Sequence, residues 1–83
     1  MFGYKNYVTV IMDGSDRKVV RDVIGIINMM CNRRFRKMRC RKLDAGHPTM
    51  KVIRTYTSAE TYRQTRLLIE KVYPGLCTFD AIV

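Results

Sequence analysis

Seven of the ten residues from 33 to 42 are arginine or lysine, and five of the seven are arginine. Arginine presents a planar fork of donors that grips a phosphate or carboxylate through two bonds and stacks flat on a base, whereas lysine is a compact point charge. So dense a block of like charge repels itself in the isolated chain. The block makes physical sense when a polyanion or an acidic protein surface lies against it. Cations on an exposed edge strand also discourage edge-to-edge aggregation, but that purpose rarely requires seven in ten residues.

The other side chains capable of chemistry are scattered. Asp13 and Asp16 flank Gly14 and Ser15, where a carboxylate could hold magnesium for phosphodiester cleavage; such a site needs more than one acidic ligand, and the chain has only seven acids. Capping of a following helix is the expected role of this pair. His47 is the sole histidine and lies in a Gly-His-Pro turn, which predicts a surface loop. Cys31, Cys40 and Cys77 form neither a CxxC pair nor a zinc-ribbon spacing. They read as three reduced, mostly buried thiols of a cytoplasmic protein. With no glycine-rich phosphate loop and no Ser-His-Asp set, the expectation is a protein with no catalytic residues, no metal and no cofactor. Met29, Met30, Met38 and Met50 read as core filler.

The elements that must position the basic block follow from periodicity. The chain has 83 residues, is 47% hydrophobic and carries a net charge of +9, which predicts one domain over residues 1–83 that is too apolar to be a disordered arm. No apolar stretch approaches the roughly 20 residues that span a bilayer, so no membrane partner is expected. Residues 1–12 read as part of the fold, not as a secretory signal.

Residues 4–12 alternate as a strand, with Val8, Val10 and Met12 on one face and Tyr7, Thr9 and Ile11 on the other. Ser15 is placed to cap a helix through about residue 32, with Val20, Val23, Ile24, Ile27, Met30 and Cys31 inward and Arg17, Lys18, Arg21, Asp22 and Asn28 on the opposite side. Residues 34–43 read as the second strand, with Phe35, Lys37, Arg39 and Arg41 on one face and Met38 and Cys40 on the other; Arg36 breaks the pattern by falling on the apolar side. Residues 44–49 are turn formers. Residues 50–56 form the third strand, and Thr57 with Glu60 resembles a capping box. A second helix turns Tyr62, Thr65, Leu68, Ile69 and Val72 inward and stops at Pro74-Gly75. Residues 76–83 complete the chain as a fourth strand.

The order β-α-β-β-α-β with two right-handed crossovers predicts an α+β, ferredoxin-like fold. Its four-stranded antiparallel sheet has spatial order 4-1-3-2, and both helices lie on one face. With Ile53 inward, the bare face carries Tyr7, Phe35 and Tyr56 among Lys37, Arg39, Arg41 and Arg54. A one-residue slip of the third strand would exchange Arg54 and Tyr56 with Ile53.

In topology, and in keeping two aromatics on its central strands, the layout resembles the RNA-recognition motif. That likeness implies single-stranded RNA on the open sheet face. The third strand, Met50-Lys51-Val52-Ile53-Arg54-Thr55-Tyr56, lacks the glycine-aromatic pattern of the family's longer motif, and the first matches its shorter motif loosely. In layout alone the chain is also similar to small ferredoxin-like nucleases of the CRISPR adaptation type, in which Asp13 would be the metal ligand. The residues themselves favour a basic binding domain for RNA or single-stranded DNA, whose arginines clamp phosphates while Tyr7, Phe35 and Tyr56 stack on bases. The alternative is a protein-interaction module, such as a phage-type inhibitor, docking the basic strand on an acidic or nucleic-acid-binding surface of a larger enzyme. A homodimer through the fourth strand or the tyrosine-bearing face is compatible with both.

Overall fold

The computed structural model describes the backbone of residues 6–40 and 49–82, and the side chains of residues 9–40 and 49–79. Along the chain come β1 (Asn6–Asp13), α1 (Arg17–Cys31), β2 (Arg39–Cys40), β3 (Met50–Thr57), α2 (Ala59–Val72) and β4 (Cys77–Ile82). The strands pair antiparallel in the order β2-β3-β1-β4, which is the 4-1-3-2 arrangement read from the other edge. The fold is α+β and ferredoxin-like, as the element order predicts. Among the described residues no helix is long and apolar enough to cross a membrane.

Alternation along the strands puts both helices on one face. Val10 and Met12 of β1, Ile53 of β3 and Met38 form the sheet side of the core, and Val23, Ile24 and Ile27 of α1 with Ile69 of α2 form the helix side. Each fully buried aliphatic side chain of this kind contributes about 1.5–3 kcal/mol. On β3 the buried residues are Ile53, Thr55 and Thr57, while Arg54 and Tyr56 are exposed. The inward placement of Ile53 therefore holds, and with it the outward placement of Arg54 and Tyr56.

Each N-cap lies one residue beyond the Ser15 or Thr57 expected there, while the capping role expected of the Asp13 and Asp16 pair is met by Asp16. Asp16, not Ser15, caps α1 and accepts the N–H groups of Lys18 and Val19. Ser15 is engaged the other way, its backbone N–H and hydroxyl both donating to Asp13 Oδ1 at 2.9 and 2.8 Å. A carboxylate is the stronger acceptor where both could cap. Ser58, not Thr57, caps α2 by accepting from the Thr61 N–H. Thr57 is instead the buried last residue of β3, and Glu60 bonds to Arg63 and Gln64. At the far end of α1, Asn32 adopts the left-handed conformation (φ 54°) and its N–H bonds to the Asn28 carbonyl, a role asparagine fills with little strain. Val72, expected inward, is 48% exposed. Tyr73 packs against the core in its place and donates its hydroxyl to Asp22 of α1.

The largest correction concerns the basic segment. Among the described residues only Arg39 and Cys40 are strand, paired with Val52 and Lys51; residues 33–38 are irregular. The physical reason lies on α1. The Asn28 side chain, expected to face solvent, accepts the Phe35 N–H and donates to the Phe35 carbonyl, both at 2.8 Å. One amide group thus takes both backbone partners that a neighbouring strand would have used. Cys40, expected under the helices, is exposed and receives a bond from Lys51 Nζ at 3.1 Å.

Gly14 closes the turn between β1 and α1, and its N–H donates to the carbonyl of Thr49, the residue just before β3. An added Cβ would meet that carbonyl oxygen at 2.7 Å and collide with the Lys51 side chain. Gly14→Ala is therefore expected to lower stability by about 1–3 kcal/mol, the usual scale of overpacking. Urea unfolding of the two proteins measures it, and an unchanged midpoint would mean that Thr49 and Lys51 shift aside without cost.

Candidate nucleic-acid interface

Because β2 pairs with β3 only at Lys51 and Val52, the outer side of β3 beyond Val52 has no strand beside it among the described residues. Residues 34–37 run past this stretch and leave a groove of about 950 Å³. The floor is Thr9 and Ile11 of β1 with Val52 of β3, and Tyr56 and Arg54 rise from β3. Arg34, Arg36, Lys37 and Arg39 form the remaining rim. Five cations thus line the groove together with one exposed aromatic ring, and no described carboxylate lines it.

The groove's position depends on two anchors. Asn28 holds Phe35 as described above. Arg33, the first cation of the run, spends its guanidinium on the scaffold: Nε donates to Thr55 Oγ1 at 2.9 Å and Nη2 to the Tyr56 carbonyl at 3.2 Å. The described ion pairs all lie within the helices, at Lys18–Asp22, Arg63–Glu60 and Arg66–Glu70. None of them involves Arg34, Arg36, Lys37 or Arg39, so internal neutralisation does not account for these four charges.

The structure brings together Lys37, Arg39, Arg54 and Tyr56 of the residues singled out from sequence. Phe35 also lines the groove, but it is half-buried and packs against the core; its ring anchors the segment more than it presents a stacking face. Tyr7 lies directly opposite Tyr56 in the β1–β3 pairing, and its side chain lies outside the described residues, as do Arg41 and His47. Sequence reasoning missed Arg34 and Arg36 as rim residues, because a strand register forces Arg36 inward and an irregular segment does not. Asn28 and Arg33 were missed as anchors. The helix-ending Asn32 marks where the chain turns, but no local pattern marks the two long-range bonds.

Elsewhere the reactive groups have structural partners. Asp13 accepts from Ser15, Asp16 caps α1, and among the described residues no three His, Cys, Asp or Glu side chains cluster as metal ligands. The three cysteines are free thiols; Cys31 and Cys77 are half-buried and Cys40 is exposed. Burial, with a smaller contribution from Glu70, pushes the Cys77 thiol up to about 11. Stabilisation tied to its neutral form is complete below the ordinary thiol value of about 8.5. It is lost as pH rises through the folded value of about 11. Since the thiolate is the reacting species, iodoacetamide at pH 8 is expected to label Cys40 well before Cys77, as read by peptide mass spectrometry. Equal labelling rates would refute the burial assigned to Cys77.

Comparison of the chain with protein-family models, with curated proteins and with solved structures finds no match.

Proposed function

We propose that this domain binds RNA or single-stranded DNA along the groove between β3 and residues 34–37. The observation that carries the reading is that Arg34, Arg36, Lys37 and Arg39, none of them in a described ion pair, line one groove with Arg54 and Tyr56 over Ile11 and Val52. Guanidinium groups hold phosphates while the Tyr56 ring stacks on a base, with Tyr7 opposite it on β1 as a second candidate ring. Stacking of this kind is worth about 1–3 kcal/mol per base and tolerates any sequence. The reading assigns a binding role in the cytoplasm and no reaction.

Fluorescence anisotropy with labelled RNA and DNA oligonucleotides tests it. Binding at low salt is expected to weaken as salt rises, with a slope of log K against log salt of about −3, since each of four or five phosphate contacts contributes about −0.7 on a single strand. Absence of binding at low salt for both polymers would end the reading. Tyr56→Ala separates it from charge-driven docking on an acidic protein. Loss of stacking weakens oligonucleotide binding about tenfold, whereas attraction to an acidic surface depends on the cations and not on that ring.

A further inference from the structure

We infer that the polynucleotide does not end at the sheet face but continues over residues 36 and 37 into a second cationic groove beside α1, where Arg17 and Arg21 hold its phosphates. The inference rests on the nucleic-acid reading above and extends the bound surface to the helix layer. A groove of about 370 Å³ lies between the first turns of α1 and residues 36–38. Val20, Ile24 and Met38 line it, and its cations are Arg17, Arg21, Arg36, Lys37 and Lys51. Arg17 and Arg21 are one helical turn apart, so they stand on the same face of α1. Arg36 and Lys37 line both this groove and the one over the sheet, which makes the two surfaces continuous across a crest of two residues.

The chemistry of the second groove differs from that of the first. It contains no aromatic ring, so bases lose the ring stacking that Tyr56 offers, and its cations are assigned to the backbone. The nearest acids of the helix are already engaged: Asp16 accepts the Lys18 and Val19 N–H groups, and Asp22 is held by Lys18 and the Tyr73 hydroxyl. Since Asp16 takes the Lys18 and Val19 N–H groups at the helix start, the attraction proposed for this groove comes from side-chain cations. A strand crossing the crest would have its bases stacked on one side and its phosphates gripped on the other.

The test compares oligonucleotides of about 4 and about 12 nucleotides, which bracket common site sizes for single-strand-binding domains. The unaltered protein is expected to bind the longer one at least about tenfold more tightly at low salt, the scale of one or two added phosphate contacts. The double variant Arg17→Gln, Arg21→Gln should lose that gain and keep its affinity for the short oligonucleotide. Arg63→Gln with Lys71→Gln removes the same charge from α2, away from both grooves, and should leave both affinities unchanged. A length gain that survives the Arg17, Arg21 substitutions would overturn the inference while leaving the sheet-face reading intact. Loss of polyglutamate binding in that variant, with both oligonucleotides unaffected, would assign the groove to an acidic protein segment and overturn it equally. Absence of binding to either oligonucleotide in the unaltered protein would overturn both readings.

Discussion

Replacing Arg34 and Arg39 by glutamate is expected to reduce oligonucleotide affinity by more than about a hundredfold at low salt, because each lost phosphate contact is worth close to tenfold there and each new carboxylate repels the strand. Both residues line the sheet-side groove and neither lines the one beside α1, so the effect belongs to the first surface. Stability should move the other way or not at all. Both side chains are exposed, neither takes part in a described ion pair, and removing like charges from a crowded basic segment relieves repulsion. Anisotropy and urea unfolding on the same samples measure the two effects. An affinity unchanged by this double reversal would remove the groove from the binding surface, whatever the rest of the molecule does. A loss of affinity accompanied by an equal loss of stability would mean that the arginines hold the fold.

The parts of this molecule that sequence periodicity could resolve are those whose neighbours are local or whose burial is one-sided. Val10 and Met12 alternate with Ile11, and Ile53 alternates with Arg54 and Tyr56, so each strand declares its buried face. Even so, Ile11 on the opposite face is only 6% exposed, flanked by Val52 and Thr78 on the adjoining strands. The exact cap positions escape the pattern because Ser15 and Asp16 before α1, and Thr57 and Ser58 before α2, all carry capping oxygens, and only geometry decides which of them accepts from the helix. The basic segment resisted reading for a different reason. Its alternation of Lys37, Met38 and Arg39 is real, and Met38 is indeed buried at 4%, but the Phe35 N–H and carbonyl, which a strand ladder would use, are taken by a side chain seven residues upstream. A backbone partner supplied by an asparagine leaves no periodic trace. Cys40 and Val72 show the limit of face assignment near the ends of elements, where parity gives a direction but not a covering neighbour.

That asparagine leads to the second large effect. Asn28→Ala removes two bonds of 2.8 Å from a part-buried site and leaves the Phe35 N–H and carbonyl without their partner. At about 1–3 kcal/mol for each of the two orphaned groups, the loss is about 2–6 kcal/mol, a large share of the roughly 4–12 kcal/mol that a domain of this size possesses. The functional consequence is separable from the energetic one. No charge changes, so the salt slope of oligonucleotide binding should stay the same, yet affinity should fall because the segment bearing Arg34, Arg36 and Lys37 is no longer fixed beside β3. Ile27→Ala is the control: it empties a core position that is 1% exposed, costs about 2–5 kcal/mol, and should leave the affinity of the folded fraction unaltered. Hydrogen exchange gives the direct readout. The Phe35 amide should exchange far faster in Asn28→Ala than in Ile27→Ala under conditions where both are folded, because only the first variant frees it locally. Asn28→Asp should fall between, since a carboxylate accepts the Phe35 N–H but donates nothing to its carbonyl. Equal Phe35 exchange in the two alanine variants would show that the amide clamp does not hold the segment, and the groove would then need another wall.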